Sequence, residues 1–353
     1  MTVVHQLLAS AAPHDAVTDQ ALELHRLLTG WGYDARLFAE HVHPGLRGTV
    51  RGIERRPRDA DVVLLRYSIW SRAVDDVLAD RPRSLGMVFH NVTPPEWIEG
   101  VNADVARWCR MGRERLGELR DRVDLVVTES AYDARDLQAA GFTDVRVVPM
   151  LLDLPRRDPA PRLPGAPPTV LSVGRVVPNK RLEVAIRAFA LFQARHAPDA
   201  RLVLVGSWES FEPYHEALVR FVHDLGVRNV DFRGRVSAEE RDRWYREADA
   251  YLCTSAHEGF CAPLAEAMAS QLPVVAVDEA AVPETLAGGG LVVPDGDPCL
   301  IAEAVHEVMA DPELRARLRD GADARLADFD RERVADRIRE VVDSLVAVSA
   351  ARS

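Results

Sequence analysis

Lysine is almost absent from this sequence of 353 residues. Of its 44 lysines and arginines only Lys180 is a lysine, so one ammonium stands in a chain that otherwise writes its positive charge as guanidinium. Acidic residues outnumber basic ones, and the net charge of −11 excludes nucleic acid as the main partner, because gripping a phosphate backbone requires a concentrated basic surface. No apolar run approaches the roughly 20 residues that span a bilayer, and no basic segment precedes the first strand-like run. Neither a transmembrane helix nor a secretory leader is expected, and the expected location is the cytoplasm. Cys109, Cys253, Cys261 and Cys299 form no C-x-x-C pair and have no histidine at zinc-ligand spacing, which predicts reduced thiols and no metal site.

Nearly half the residues, 47%, are apolar and 28% are charged, the balance of a chain that can bury a sizeable core. Its length exceeds one ordinary core and fits two domains. Short Val/Leu-rich runs alternate with helix-period segments throughout, which predicts βαβ units and parallel sheets. Strands are expected near 3–8, 35–39, 61–66, 86–90, 124–128 and 145–148, then near 169–173, 201–205, 229–232, 250–253, 273–277 and 291–293. Between the two series, residues 155–168 hold six prolines and cannot form regular structure. The expected organisation is a first α/β domain over 1–155, a linker over 156–168, a second α/β domain over 169–328 and a final helix, 329–353, crossing back to the first domain.

In the second half, the strand around Thr169–Val173 runs into Gly174, Arg175 and, after a short loop, Lys180. Loops at the carboxyl ends of parallel strands are where open α/β sheets bind ligands. Arginine grips phosphate oxygens with a planar fork and lysine adds a compact mobile charge, so the pair suits one dianionic group. The denser signal is Ser255 to Ala269, which follows the strand Ala250–Thr254. Gly259 permits a sharp turn and Pro263 suits a first helical position, so the turn is expected to aim backbone N–H groups at the positive end of a helix toward an anion. Glu258 precedes that turn and Glu266 lies one helical turn beyond it. Carboxylates accept from hydroxyls, not from phosphate, so the spacing points to a diphosphate with a sugar on each side, a nucleotide-sugar.

These motifs, strand-G-R-x-x-x-x-K, V-G-S, F-x-G-R-V, S-x-H-E-G-F-x-x-P-x-x-E-A-M-A and P-V-V-A, occur in this order over 169–296. The segment resembles the donor-binding half of the retaining group 1 (family four) glycosyltransferases. The resemblance implies a GT-B fold, two Rossmann-like doubly wound α/β domains facing across a cleft. It further implies that Glu258 contacts sugar hydroxyls, that the amides of Gly259, Phe260 and Cys261 take the distal phosphate beside Leu264, that Glu266 holds the ribose, and that Gly206, Arg235 and Val236 border the nucleotide. Transfer would retain anomeric configuration, with Arg175 and Lys180 stabilising the departing diphosphate without a metal or other cofactor.

In the first half, His90 ends an apolar strand and is followed by Asn91, Thr93 and Pro94. A histidine there is either a core residue or, as the resemblance implies, a group near the transferring sugar. His14 and Asp15 lie in the loop after the first strand, where relatives carry a glycine pair and this chain has alanines. Asp15 either receives an acceptor hydroxyl or begins the next helix. Arginines at 47, 51, 55, 56 and 58 and at 107, 110 and 113 form a solvated face, or else dock an acceptor phosphate or a membrane surface weakly. The Asp-x-Asp triplets at 295–297 and 328–330 read as turns and helix caps, not metal ligands. The partners expected are a nucleotide-sugar donor and a hydroxyl acceptor. The rivals are a silent sugar-nucleotide-binding protein and a nucleotide-sugar epimerase.

Overall fold

A computed structural model describes residues 1–13, 15–161 and 165–352. His14 and residues 162–164 of the proline-rich stretch lie outside the described residues. The chain divides into two compact units, one of 1–96, 104–152 and 329–353, the other of 97–103 and 153–328.

In chain order the first series of elements is β1 (Val3–Ala11), α1 (Ala16–Gly30), β2 (Asp34–Val42), β3 (Val50–Gly52), β4 (Val62–Tyr67), α2 (Arg72–Ala79), β5 (Ser84–Phe89), α3 (Ala103–Arg120), β6 (Leu125–Thr128), α4 (Ala131–Ala139) and β7 (Val145–Val147). The second is β8 (Thr169–Val173), α5 (Leu182–Arg195), β9 (Arg201–Val205), α6 (Glu212–Asp224), β10 (Val230–Gly234), α7 (Ala238–Glu247), β11 (Ala250–Cys253), α8 (Ala262–Ala269), β12 (Val274–Val277), α9 (Val282–Leu286), β13 (Leu291–Val293), α10 (Pro298–Ala310), α11 (Pro312–Leu326) and α12 (Arg331–Ala351).

The first unit is a parallel sheet of seven strands in the order β3-β2-β1-β4-β5-β6-β7. The extra strand, β3, has only three residues, too few for a periodic signal. β4, β5 and β6 are buried along their whole length, as strands covered on both faces must be. α12 lays Val334, Val341, Val342 and Leu345 into the same core as Val62, Leu64 and Leu125. Burying each such side chain is worth roughly 1.5–3 kcal/mol. Gly86 allows the close approach, since a Cβ there would stand 2.6 Å from Leu345 Cδ1. At the far end of the helix Arg352 donates to Asp124 Oδ2 and to Arg83 O, at 2.8 and 2.9 Å.

His5 on β1 is fully buried edge-on to Phe38, with no hydrogen-bond partner for either ring nitrogen among the described residues. Burial first, then the charges of Arg36 and Arg56, pushes its pKa down to about 4. A histidine with a depressed folded pKa leaves stability intact above its unfolded value of 6.5 and removes it as pH falls toward the folded value. The unfolding free energy from denaturant titrations should therefore lose an amount on the order of 3 kcal/mol to His5 between pH 7 and pH 4. His5→Leu should flatten that slope.

The second unit is a parallel sheet of six strands in the order β10-β9-β8-β11-β12-β13. The chain builds outward from β8 to β9 and β10, then returns to the other side of β8 with β11. Its core joins Leu182, Ile186, Phe189, Leu202, Leu204, Leu252 and Val275. Two helices, α9 and α11, were absent from the sequence reading. The described part of the proline-rich stretch is pinned to this unit: Arg157 N donates to Ala269 O and Ala160 N to Arg246 O, at 3.0 and 2.8 Å, and Arg157 Nη2 reaches Asp242 Oδ1 at 2.9 Å. The Asp-x-Asp triplets are spent locally, Asp297 capping α10 through Cys299 N and Asp330 capping α12 through Arg333 N.

Candidate active site

The strand order reverses between β8 and β11, and a pocket opens at their carboxyl ends, lined by Gly174, Arg175, Lys180, Cys253, Glu258 and Cys261. This is the switch point at which open α/β sheets take ligands. The loop after β8 and the loop after β11 are stitched together by backbone and side chain. Ala256 N donates to Asn179 O at 2.8 Å, Asn179 Nδ2 to His257 O at 3.2 Å, Thr254 Oγ1 to Lys180 O at 2.9 Å and Arg181 Nε to Thr254 O at 2.9 Å. Asn179, Arg181 and Thr254 were not singled out in the sequence. Nothing in their spacing marks them, because their partners lie more than 70 residues away.

The clamp presents the half-buried Lys180 Nζ to buried Glu258 Oε1 in an ion pair. Burial opposes the ammonium, but the Glu258 carboxylate outweighs it and raises the Lys180 pKa. Burial likewise opposes ionisation of Glu258, and Lys180, Ser255 and Cys261 together hold its pKa below the usual glutamate value. Both groups are thus charged at neutral pH. Arg175 is exposed at the rim, its guanidinium 5.3 Å from the centre of the Phe211 ring.

The turn before α8 is bent at Gly259 and Phe260, but its left-handed residue is Cys261, at φ 66 and ψ 66, which caps the helix. Pro263 occupies the first helical turn as its missing N–H allows. Leu264 is wholly buried and its N–H donates to Cys261 O at 2.9 Å, so its side chain packs into the core behind the turn. Thr285 Oγ1 donates to Phe260 O and holds the turn from behind. Glu266 is supported by Tyr245, whose hydroxyl donates to Oε2 at 2.8 Å, while Arg241 Nη2 lies 3.5 Å from Oε1.

Gly206 sits where no side chain fits. Its φ is +152, and a Cβ would lie 1.8 Å from Gly174 O. Gly174, Gly206 and Gly234 thereby bring the ends of β8, β9 and β10 together, with Gly174 N on Val205 O and Gly206 N on Gly234 O, each at 2.9 Å. Gly206→Ala should lower stability by about 3 kcal/mol or more, which a denaturant titration checks. Beyond β10, Arg235 is exposed with Nη2 3.3 Å from Glu209 Oε2, and Val236 is half-buried.

In the first unit Asp15 caps α1: its Oδ2 accepts from Thr18 N at 2.9 Å and from Thr18 Oγ1 at 2.8 Å. The His90 side chain is 2% exposed, with Nδ1 2.6 Å from Glu129 Oε1 and Nε2 3.2 Å from Arg66 Nη1. Because Arg66 can only donate, Nε2 is the acceptor of that contact. Arg66 is itself bound to Gln6 Oε1 at 2.9 Å and Gln20 Oε1 at 2.5 Å. The ring thus lies inside a buried polar network, as a core histidine does. Among the described residues no helix is long and apolar enough to cross a membrane.

Two parallel-sheet α/β units of this kind define the GT-B class of fold. Solved structures of that class cover the chain from end to end: sucrose-phosphate synthase from Thermosynechococcus elongatus, at a TM-score of 0.80 and 18% identity over 98% of this chain and 100% of that one, and Anabaena HepE in complex with UDP-glucose, at 0.78 and 18% over the same shares. Within the fold, residues 155–325 match the family described as glycosyl transferases group 1. Among curated relatives, the GDP-mannose-dependent α-(1-6)-phosphatidylinositol monomannoside mannosyltransferase of Mycolicibacterium smegmatis is 35% identical over 44% of this chain and 42% of its own. The D-inositol 3-phosphate glycosyltransferase of Acidothermus cellulolyticus is 33% identical over 62% of this chain and 53% of its own. The chain thus spans about half the length of the curated relatives it matches.

Proposed function

We propose that this protein is a retaining glycosyltransferase that moves a sugar from a nucleoside-diphosphate sugar to an acceptor hydroxyl, in the cytoplasm and without a metal ion. The observation that carries the reading is the Lys180–Glu258 ion pair, half-buried at the lysine and buried at the glutamate, set at the switch point of the second sheet beside the turn that starts α8. An ammonium next to a helix N-terminus and still open to solvent on one side suits a pyrophosphate, and the carboxylate beside it suits the hydroxyls of the sugar attached to that phosphate. As the sugar–phosphate bond lengthens, negative charge grows on the diphosphate oxygens. Lys180, Arg175 and the amides of the 259–261 turn are donors oriented before the reaction, so they stabilise that charge without reorganising. Glu266 would accept from the ribose, and the segment from Gly206 to Val236 would border the base. No side chain is assigned as a nucleophile, and retention places the acceptor oxygen on the face the phosphate leaves.

The names of the curated relatives direct the acceptor search to inositol and its phosphates, free or in a lipid headgroup. UDP-, GDP-, ADP- and dTDP-sugars screened by thermal shift should single out one base, and that donor should transfer its sugar to an acceptor in the presence of EDTA. Nuclear magnetic resonance of the product should show the donor's anomeric configuration. Absence of donor binding across the panel rejects the reading. An inverted product rejects retention, and loss of activity in EDTA rejects metal independence.

A further inference from the structure

The sequence offers no cysteine motif, yet the fold brings two thiols to the floor of the pocket. Cys253 ends β11, Cys261 caps α8, and their sulfur atoms lie within 4.8 Å of each other and of the Glu258 carboxylate. Both are reduced and buried, 4% and 7% exposed, yet both line the same pocket. We infer that Cys253 and Cys261 form a reversible disulfide under peroxide, a redox modification site that closes the anion-binding turn.

Three features argue for this against a bystander pair. Lys180 already supplies a cation to the cluster, and its charge is felt by both sulfurs as well as by Glu258. That charge favours a thiolate, the reactive form, against the opposing Glu258 carboxylate. The two sulfurs also touch: their contact pushes the Cys253 thiol down and, with burial, pushes Cys261 up. Cys253 is taken as the attacking sulfur, and the cross-link is the same whichever sulfur attacks first. Finally, Cys261 holds the left-handed backbone position that starts α8, so drawing its sulfur toward β11 moves the amides that the turn presents.

The chemistry balances with hydrogen peroxide as oxidant. The Cys253 thiolate attacks one peroxide oxygen and the O–O bond breaks, giving a sulfenic acid and hydroxide, which takes up the proton the thiol had released. Cys261 sulfur then attacks Cys253 sulfur, the S–O bond breaks, and the hydroxyl leaves as water with the Cys261 proton. Two thiols are oxidised by two electrons and one peroxide becomes two waters. Dithiothreitol reverses the step by thiol exchange.

The test uses the full chain treated with hydrogen peroxide, alkylated and mapped by tandem mass spectrometry. A Cys253–Cys261 cross-link is expected that dithiothreitol removes, that persists in Cys299→Ser and that is lost in Cys253→Ser. Because the wild-type map needs no variant, a folding defect in Cys253→Ser does not weaken it. Two readouts rest on the proposed donor site: oxidation should lower the transfer rate roughly tenfold or more, recoverably, and one of UDP, GDP, ADP and dTDP should slow cross-linking several-fold. A cross-link that none of the four slows keeps the redox pair and sinks the donor site. Thiols that stay alkylatable at a peroxide dose that oxidises exposed Cys299, or sulfinic acid without a cross-link, overturn the redox pair even if nucleotide binds.

Discussion

Lys180→Ala is expected to lower the turnover of sugar transfer roughly 10²- to 10³-fold, the usual effect of removing one preoriented donor from a developing oxyanion. The loss should fall on kcat, because the charge it stabilises is greatest in the transition state. The same change strands Glu258, 9% exposed, without its counter-ion, and breaking a buried pair from one side costs about 3–5 kcal/mol. Lys180→Met with Glu258→Gln should recover much of that stability and none of the activity, which separates the catalytic role from the structural one. Transfer by Lys180→Ala at the wild-type rate would remove the lysine from the mechanism.

The ion pair also sets a pH window. Glu258 has a depressed folded pKa, so its contribution is complete above the unfolded value of 4.5 and lost as pH falls through the folded one. Lys180 has a raised folded pKa, so its contribution is complete below the unfolded value of 10.5 and lost as pH rises further. Denaturant midpoints of the wild type relative to the double variant should therefore be flat between those limits and decline on both sides.

Glu266→Ala is the second large effect. Its carboxylate accepts from the Tyr245 hydroxyl, which lies in a fully buried side chain. Truncation leaves that hydroxyl only its longer bond to Pro263 O, at 3.4 Å, a loss of about 1 kcal/mol, and deprives the ribose of its charged acceptor. Donor KM should rise tenfold or more. Glu266→Gln keeps an oxygen for Tyr245 and should restore the melting temperature, but a neutral acceptor bond is about half as strong as a charged one, so donor affinity should recover only in part. Wild-type KM in Glu266→Ala would show that the carboxylate serves Tyr245 alone.

Much of the second unit was legible because its signals are local. A Val/Leu run, a glycine and a cation, or a glycine, a proline and a glutamate one turn on, each report a strand end or a helix start within about ten residues. β3, α9 and the proline-rich stretch escaped for the opposite reason. Three residues in β3 and five in α9 carry no readable period, and the hydrogen bonds of Arg157 and Ala160 are made to residues far along the chain. Leu264 shows the limit of a motif: its place beside the turn is readable, but its burial is not.

By itself the sequence determined the two series of parallel strands, the cations and carboxylates of the second unit and the turn that starts α8, because each depends on contacts between near neighbours. Only the tertiary structure decided what those groups face. It set Lys180 on Glu258, locked His90 between Arg66 and Glu129 and laid the Cys253 and Cys261 sulfurs together. These outcomes turn on which strand lies beside which and on how far each side chain is withdrawn from water, and neither quantity is written in residue spacing.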